Sequence, residues 1–183
     1  GNVDGSSGGG FQSGRLDTGP DITVQLAAQD MTHKVDGQVS GGGSGDLTLD
    51  IAGSGSTIEG SDASTDDSFI EDLTISASDV SVVNLEQIDG DVLVEDGASL
   101  SLALADKDNS GTDGNSASDG TLEGDLQVDG QLTLASAIEV VSDLGGSLGS
   151  DDVKVTGPNG AIDFATFALT LTGDGAEFDG DGD

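Results

Sequence analysis

The apolar positions of this chain fall in short runs in which every second residue is hydrophobic, the spacing that places alternate side chains on one face of an extended strand. Asp21 to Ala28 sets Ile22, Val24 and Leu26 against polar neighbours, and Asp46 to Ile51 does the same with Leu47, Leu49 and Ile51. The same alternation predicts strands over 69–76, 79–85, 91–95, 99–104, 121–128, 131–135, 137–142, 152–156 and 161–172. In the last of these, Phe167, Leu169 and Leu171 alternate with Ala168, Thr170 and Thr172. Stretches with apolar residues at helical spacing are all short or interrupted by glycine.

Between the strands, Gly41-Gly42-Gly43, Asp96-Gly97, Asp129-Gly130 and Pro158-Asn159-Gly160 offer the positive-φ residues that tight hairpins need. About ten short strands with frequent turn signals predict an all-β fold, a β-sandwich or jelly roll. The sandwich is expected over 21–183, behind an extended N-terminal arm over 1–20. Gly-Asp opens three of the runs, at Gly45-Asp46, Gly90-Asp91 and Gly124-Asp125. A β-solenoid calls for a regular repeat. The intervals between these pairs are unequal, so the pattern favours sandwich strands over stacked rungs, with the solenoid as the lesser reading.

Composition changes the picture most through charge. The chain has 183 residues, 36 of them acidic and four basic, for a formal net charge of -32. Arg15, Lys34, Lys107 and Lys154 are too few and too scattered to bind a phosphate backbone, so nucleic acid is not an expected partner. With no cysteine, disulfides, thiol catalysis and Cys-based metal centres are excluded. The apolar runs are too short to span a bilayer as helices. At low salt this much uncompensated charge opposes a compact state, whereas at 1 M salt the screening length falls to roughly 3 Å. Concentrated brine or a divalent-rich medium therefore suits the sequence. Hydrophobic residues make up 33% of it and cluster in the alternating runs, which favours a folded domain over disorder.

The aspartates sit beside Gly and Ser, as turn residues and hard-cation ligands do. Asp106-Lys107-Asp108-Asn109-Ser110-Gly111 places oxygen ligands at alternate positions before a glycine, the first half of a calcium loop. Ala117 stands where an EF-hand needs its bidentate Glu, so this is not an EF-hand. Asp106, Asp108 and Ser110, completed by Asp113 or Asp119, are the candidate Ca²⁺ ligands, with a solvated acidic loop as the alternative. Asp174, Asp179, Asp181 and Asp183, and Asp62, Asp66 and Asp67, are weaker candidates. Asp17-Thr18-Gly19 carries an aspartic-protease triplet, but that chemistry needs a second carboxylate in an equivalent turn, and no second triplet occurs. His33 has no second histidine to complete a metal site or triad, and is expected at the surface. No catalytic residues emerge.

The N-terminal stretch 1–14 is rich in glycine and serine, with Val3 and Phe11 its only apolar side chains. It reads as an arm that pairs with a sheet edge of a neighbouring copy or lies back along its own domain. Gly10-Phe11-Gln12-Ser13-Gly14-Arg15-Leu16-Asp17 and the strand that follows resemble the start of mature camelysin/TasA-like secreted proteins, with a weaker echo at Asn84-Leu85-Glu86-Gln87-Ile88-Asp89-Gly90-Asp91. The resemblance implies a jelly roll, export, and polymerisation into extracellular fibres by donation of the N-terminal segment. The expectation is a non-enzymatic subunit of an extracellular filament or surface assembly, a homopolymer with Val3, Phe11 and Leu16 in the assembling arm. A monomeric Ca²⁺-dependent adhesin and a virion capsid or decoration protein are the alternatives.

Overall fold

A computed structural model of the chain describes residues 10–12, 16–18, 21–36, 38–43, 46–60, 68–105, 120–122, 124–141, 153–156, 158–167, 169–172 and 178–180. All regular structure among them is extended, and every strand pairing is parallel. The all-β expectation holds, but the sandwich or jelly roll does not: those folds are built from antiparallel hairpins.

Three sheets run side by side along one axis. Sheet 1 contains β1 (Gly10–Gln12), β4 (Thr32–Asp36), β8 (Thr57–Gly60), β11 (Val80–Leu85), β14 (Ser99–Leu104), β17 (Gln131–Leu134) and β20 (Ala161–Asp163). Sheet 2 contains β3 (Ile22–Leu26), β7 (Leu47–Ile51), β10 (Asp72–Ile75), β13 (Val92–Val94), β16 (Leu126–Val128), β19 (Val153–Val155) and β22 (Phe178–Gly180). Sheet 3 contains β5 (Gln38–Val39), β9 (Phe69–Ile70), β12 (Gln87–Ile88), β15 (Gly120–Leu122), β18 (Ile138–Val141) and β21 (Leu169–Thr172). A small pair, β2 (Leu16–Thr18) with β6 (Gly41–Gly43), stands beside them. From β8 onward the chain visits sheet 1, sheet 3 and sheet 2 in turn, so each circuit is one coil of a parallel β-solenoid.

The coils are in register but unequal in length. In sheet 2, 25 residues separate Gln25 from Asp50, 19 separate Asp72 from Asp91, 34 separate Asp91 from Asp125 and 27 separate Asp129 from Thr156. The difference is taken up at corners, where chain can be inserted without moving a strand. The Gly-Asp pairs are therefore coil markers after all. Asp46 and Asp91 head strands of sheet 2 that lie two coils apart, and between them β10 is headed by Glu71-Asp72 with no glycine.

The alternating pattern now has a physical meaning. In each strand the inward residue stacks on its counterpart one coil away, giving aliphatic columns. Ile58, Val82, Leu102 and Leu134 form one behind sheet 1. Leu26, Ile51, Ile75, Val94 and Val128 form another behind sheet 2, and Val39, Ile70, Ile88, Leu122 and Val140 a third behind sheet 3. All of these are buried, and each contributes about 1.5–3 kcal/mol when withdrawn from water.

Corners, not hairpins, connect the strands. Gly41–Gly43 is strand β6, and the run 161–172 is broken by a turn in which the Phe167 N–H donates to the Phe164 carbonyl. Among the described glycines only Gly55 and Gly97 have positive φ. Asn84 turns one corner instead, at φ 55 inside β11, where the register with β14 shifts between Val83 and Leu85. Asparagine tolerates this left-handed conformation better than most residues. Gly124 serves a different need, since a Cβ there would run into the backbone of Gly90 on the adjacent coil.

The N-terminal arm is part of this architecture. Phe11 sits opposite Val35 in the β1–β4 pairing, and Leu16 opposite Gly41 in β2–β6. Both strands are thus paired within the chain on one edge, and β1 is the end strand of sheet 1. Val3 lies outside the described residues.

Candidate functional site

The corner that leads into sheet 2 carries a carboxylate on coil after coil. Asp21 Oδ1 accepts the Asp46 N–H at 3.3 Å, Asp72 Oδ1 accepts the Asp91 N–H at 2.9 Å, and Asp91 Oδ1 accepts the Asp125 N–H at 3.0 Å. In each case the next residue returns the contact through the main chain. Ile22 N–H donates to the Asp46 carbonyl, Leu73 N–H to the Asp91 carbonyl and Val92 N–H to the Asp125 carbonyl. Glu71 joins the series by accepting the Leu47 N–H at 3.0 Å, and Thr48 Oγ1 donates to Asp72 Oδ2 at 3.5 Å.

A corner is where the sheet ladder is interrupted, and a backbone N–H left there without an acceptor is costly. The acidic residue supplies that acceptor from the neighbouring coil, with the added strength of a charged partner. This is the chemical reason for the recurring Asp before a strand. Other acids make the same kind of link elsewhere. Asp50 accepts from Gln25 at 2.7 Å and from Ser76 at 2.5 Å, and Asp129 accepts from Thr156 on the next coil. Asp96 accepts the Asn159 amide at 2.8 Å.

Stacked carboxylates repel. Asp72 is pushed up to about 6, first by burial and then by the charges of Asp91, Glu71 and Asp46, against the opposing hydrogen bond from the Asp91 N–H. Cationic relief is sparse. Lys34 pairs with Glu59 across β4 and β8 at 3.5 Å, an exposed contact worth little by itself.

His33 is buried, not exposed as expected. It faces inward beneath Ile58 at one end of the sheet 1 column, and its Nε2 has no hydrogen-bond partner. Burial lowers its pKa. The sequence held a signal for this: His33 shares strand parity with Val35.

The candidate Ca²⁺ ligands Asp106, Asp108, Ser110, Asp113 and Asp119 lie outside the described residues, in the chain between β14 and β15. Asp62, Asp66 and Asp67, and Asp174, Asp181 and Asp183, also lie outside them. Among the described residues no group of three or more His, Cys, Asp or Glu side chains has the arrangement of a metal site. Nor, among them, is any helix long and apolar enough to cross a membrane.

Comparison of the chain with protein-family models, curated proteins and solved structures found no match.

Proposed function

We propose that this chain is a non-enzymatic structural subunit of an extracellular filament or surface assembly that works in concentrated salt. The observation that supports this reading is the repeated use of carboxylates as ties between coils, at Asp21, Asp72 and Asp91. In such a frame part of the acid surplus also ties coil to coil, and counterions that screen its repulsion support the fold. A stack of coils is also a stiff, elongated unit, suited to bearing load. In this reading the N-terminal arm remains part of the assembling surface, since β1 ends sheet 1 and pairs with β4 on one edge.

Ca²⁺ at Asp106, Asp108, Ser110, Asp113 and Asp119 forms part of the proposal, as one of the cations that neutralise the assembly. The test is the size of the full chain by light scattering in 3 M NaCl, in 3 M NaCl with Ca²⁺, and in dilute buffer with a chelator. Polymers in concentrated salt that dissociate on dilution are expected. A monodisperse 18.0 kDa species under all three conditions would overturn the reading.

A further inference from the structure

The corner that leads from sheet 2 to sheet 1 carries an aspartate or asparagine followed by glycine on three successive coils. These are Asp96-Gly97 between β13 and β14, Asp129-Gly130 between β16 and β17, and Asn159-Gly160 between β19 and β20. The third is the only Asn-Gly step in the chain. Packing fixes its glycine, because a Cβ at Gly160 would run into the main-chain carbonyls of Thr156 and Val128. Contacts with the two preceding coils hold its asparagine. Asn159 Nδ2 donates to Asp96 Oδ1 at 2.8 Å, and the Asn159 carbonyl accepts from Gln131 Nε2. Asn159 and Asp96 are both exposed to solvent.

We propose that Asn159 is a site of spontaneous covalent modification, at which the side-chain amide is hydrolysed through a cyclic imide to aspartate or isoaspartate. The main-chain nitrogen of Gly160 attacks Asn159 Cγ. The new N–C bond closes a five-membered ring, the N–H proton is given up, and the side-chain nitrogen leaves as ammonia. Water then adds to either imide carbonyl and opens the ring. One water is consumed and one ammonia released, with no oxidation or reduction. Glycine favours the first step, because with no Cβ the attacking nitrogen is not shielded by a side chain, and the reacting atoms belong to adjacent residues. The bond to Asp96 acts as a brake by holding the amide, but an exposed hydrogen bond opens readily, so the brake is partial. The product lacks the property that the corner uses: an amide donates to Asp96, whereas a carboxylate only accepts. Conversion replaces a tie between coils by two facing like charges, in a chain whose net charge is already -32. The other asparagine among the described residues, Asn84, is also exposed, but it lies inside β11 and is followed by Leu85, whose side chain shields the main-chain nitrogen.

The full chain is held at pH 8.5 and 37 °C in 2 M NaCl and sampled over several weeks. Cleavage after glutamate leaves Asn84 and Asn159 each as the only asparagine of its peptide, 72–86 and 140–177. Mass spectrometry then reads the gain of about 1 Da that marks exchange of the amide nitrogen for oxygen. Conversion at Asn159 is expected to run about ten-fold ahead of Asn84, with aspartate and isoaspartate both formed. Asp96→Ala removes the brake and should speed conversion at Asn159 by about two- to three-fold. As a second readout, Asn159→Asp should lower the urea midpoint of the parent chain in dilute buffer at pH 7.5. Asp96→Asn/Asn159→Asp, which again sets a donor against an acceptor, should recover it. Conversion at Asn159 no faster than at Asn84 would overturn the site. An unchanged rate in Asp96→Ala would overturn the brake, and a midpoint unmoved by Asn159→Asp would overturn the loss of the tie.

Discussion

Asp72 and Asp91 occupy equivalent places on adjacent coils, and the carboxylate of the first accepts the main-chain N–H of the second at 2.9 Å. The same geometry that ties the coils together brings like charges close, and the folded state carries both consequences.

For Asp72 the sign of the pH effect follows from burial. Its folded-state pKa lies at about 6, above the ordinary 3.8, so between those values the folded protein holds a proton that the unfolded chain has released. That contribution to stability is complete below the lower value and is lost as pH rises through the upper one. Asp72→Asn keeps an oxygen for the Asp91 N–H and removes the charge. Urea unfolding at low salt should show the variant more stable than the parent at pH 7.5 by about 1 kcal/mol, a figure reduced for partial exposure, and should show no such gain at pH 4. The gain should shrink in 2 M NaCl, where the repulsion from Asp91, Glu71 and Asp46 is screened.

His33 works in the opposite direction. Burial lowers its pKa below 6.5, so its neutral form supports the fold above that value and the support is lost as pH falls through the folded pKa. Replacing it by leucine continues the aliphatic column from Ile58 and eliminates an Nε2 that has no partner. Thermal unfolding should show His33→Leu stabilised by about 1 kcal/mol at pH 7.5, with a larger margin over the parent at pH 5.

Close approach between coils is tested at Gly124. A methyl group there meets the Gly90 backbone, which cannot swing aside as a side chain could. Gly124→Ala should cost about 1–3 kcal/mol in urea unfolding. Gly97, at φ 82 with open space around it, asks for conformation and not for room. Gly97→Asn should cost only a few tenths of that range, since asparagine adopts the left-handed region readily.

The segment 106–119 offers a deletion. One coil turns from β11 to β12 through Glu86 alone, whereas the next takes the chain from Ala105 to Gly120. Removing 106–119 leaves Ala105-Gly120 to make the turn that Glu86 makes. The variant should keep its β-sheet circular dichroism and unfold within about 1 kcal/mol of the parent, because loop length enters stability only weakly. Calorimetric titration should show any Ca²⁺ binding by the parent disappear with the deletion.

Much of the local structure was legible in the sequence. The strand expected over 99–104 is β14, and those expected over 79–85 and 131–135 are β11 and β17 within a residue at each end. What a period of two does not contain is the identity of the partner strand: alternate burial looks the same in a sandwich and in a solenoid. The repeat was visible at Gly45, Gly90 and Gly124, but the coil headed by Glu71 lacked the mark and the corner after β14 stretched the next interval. Short strands such as β4, with His33 inward and Lys34 outward, carried too little apolar character to stand out. The acid ties were unreadable for a related reason, since an aspartate before a strand has one appearance whether it meets water or the main chain of the storey above.

Unequal coils that stay in step have one more result. Because the number of residues between successive strands varies while the strands stay aligned, the stack of this protein keeps its spacing like the storeys of a mast. Its interior answers to the demands of stacking, and the length of chain between strands is not one of them.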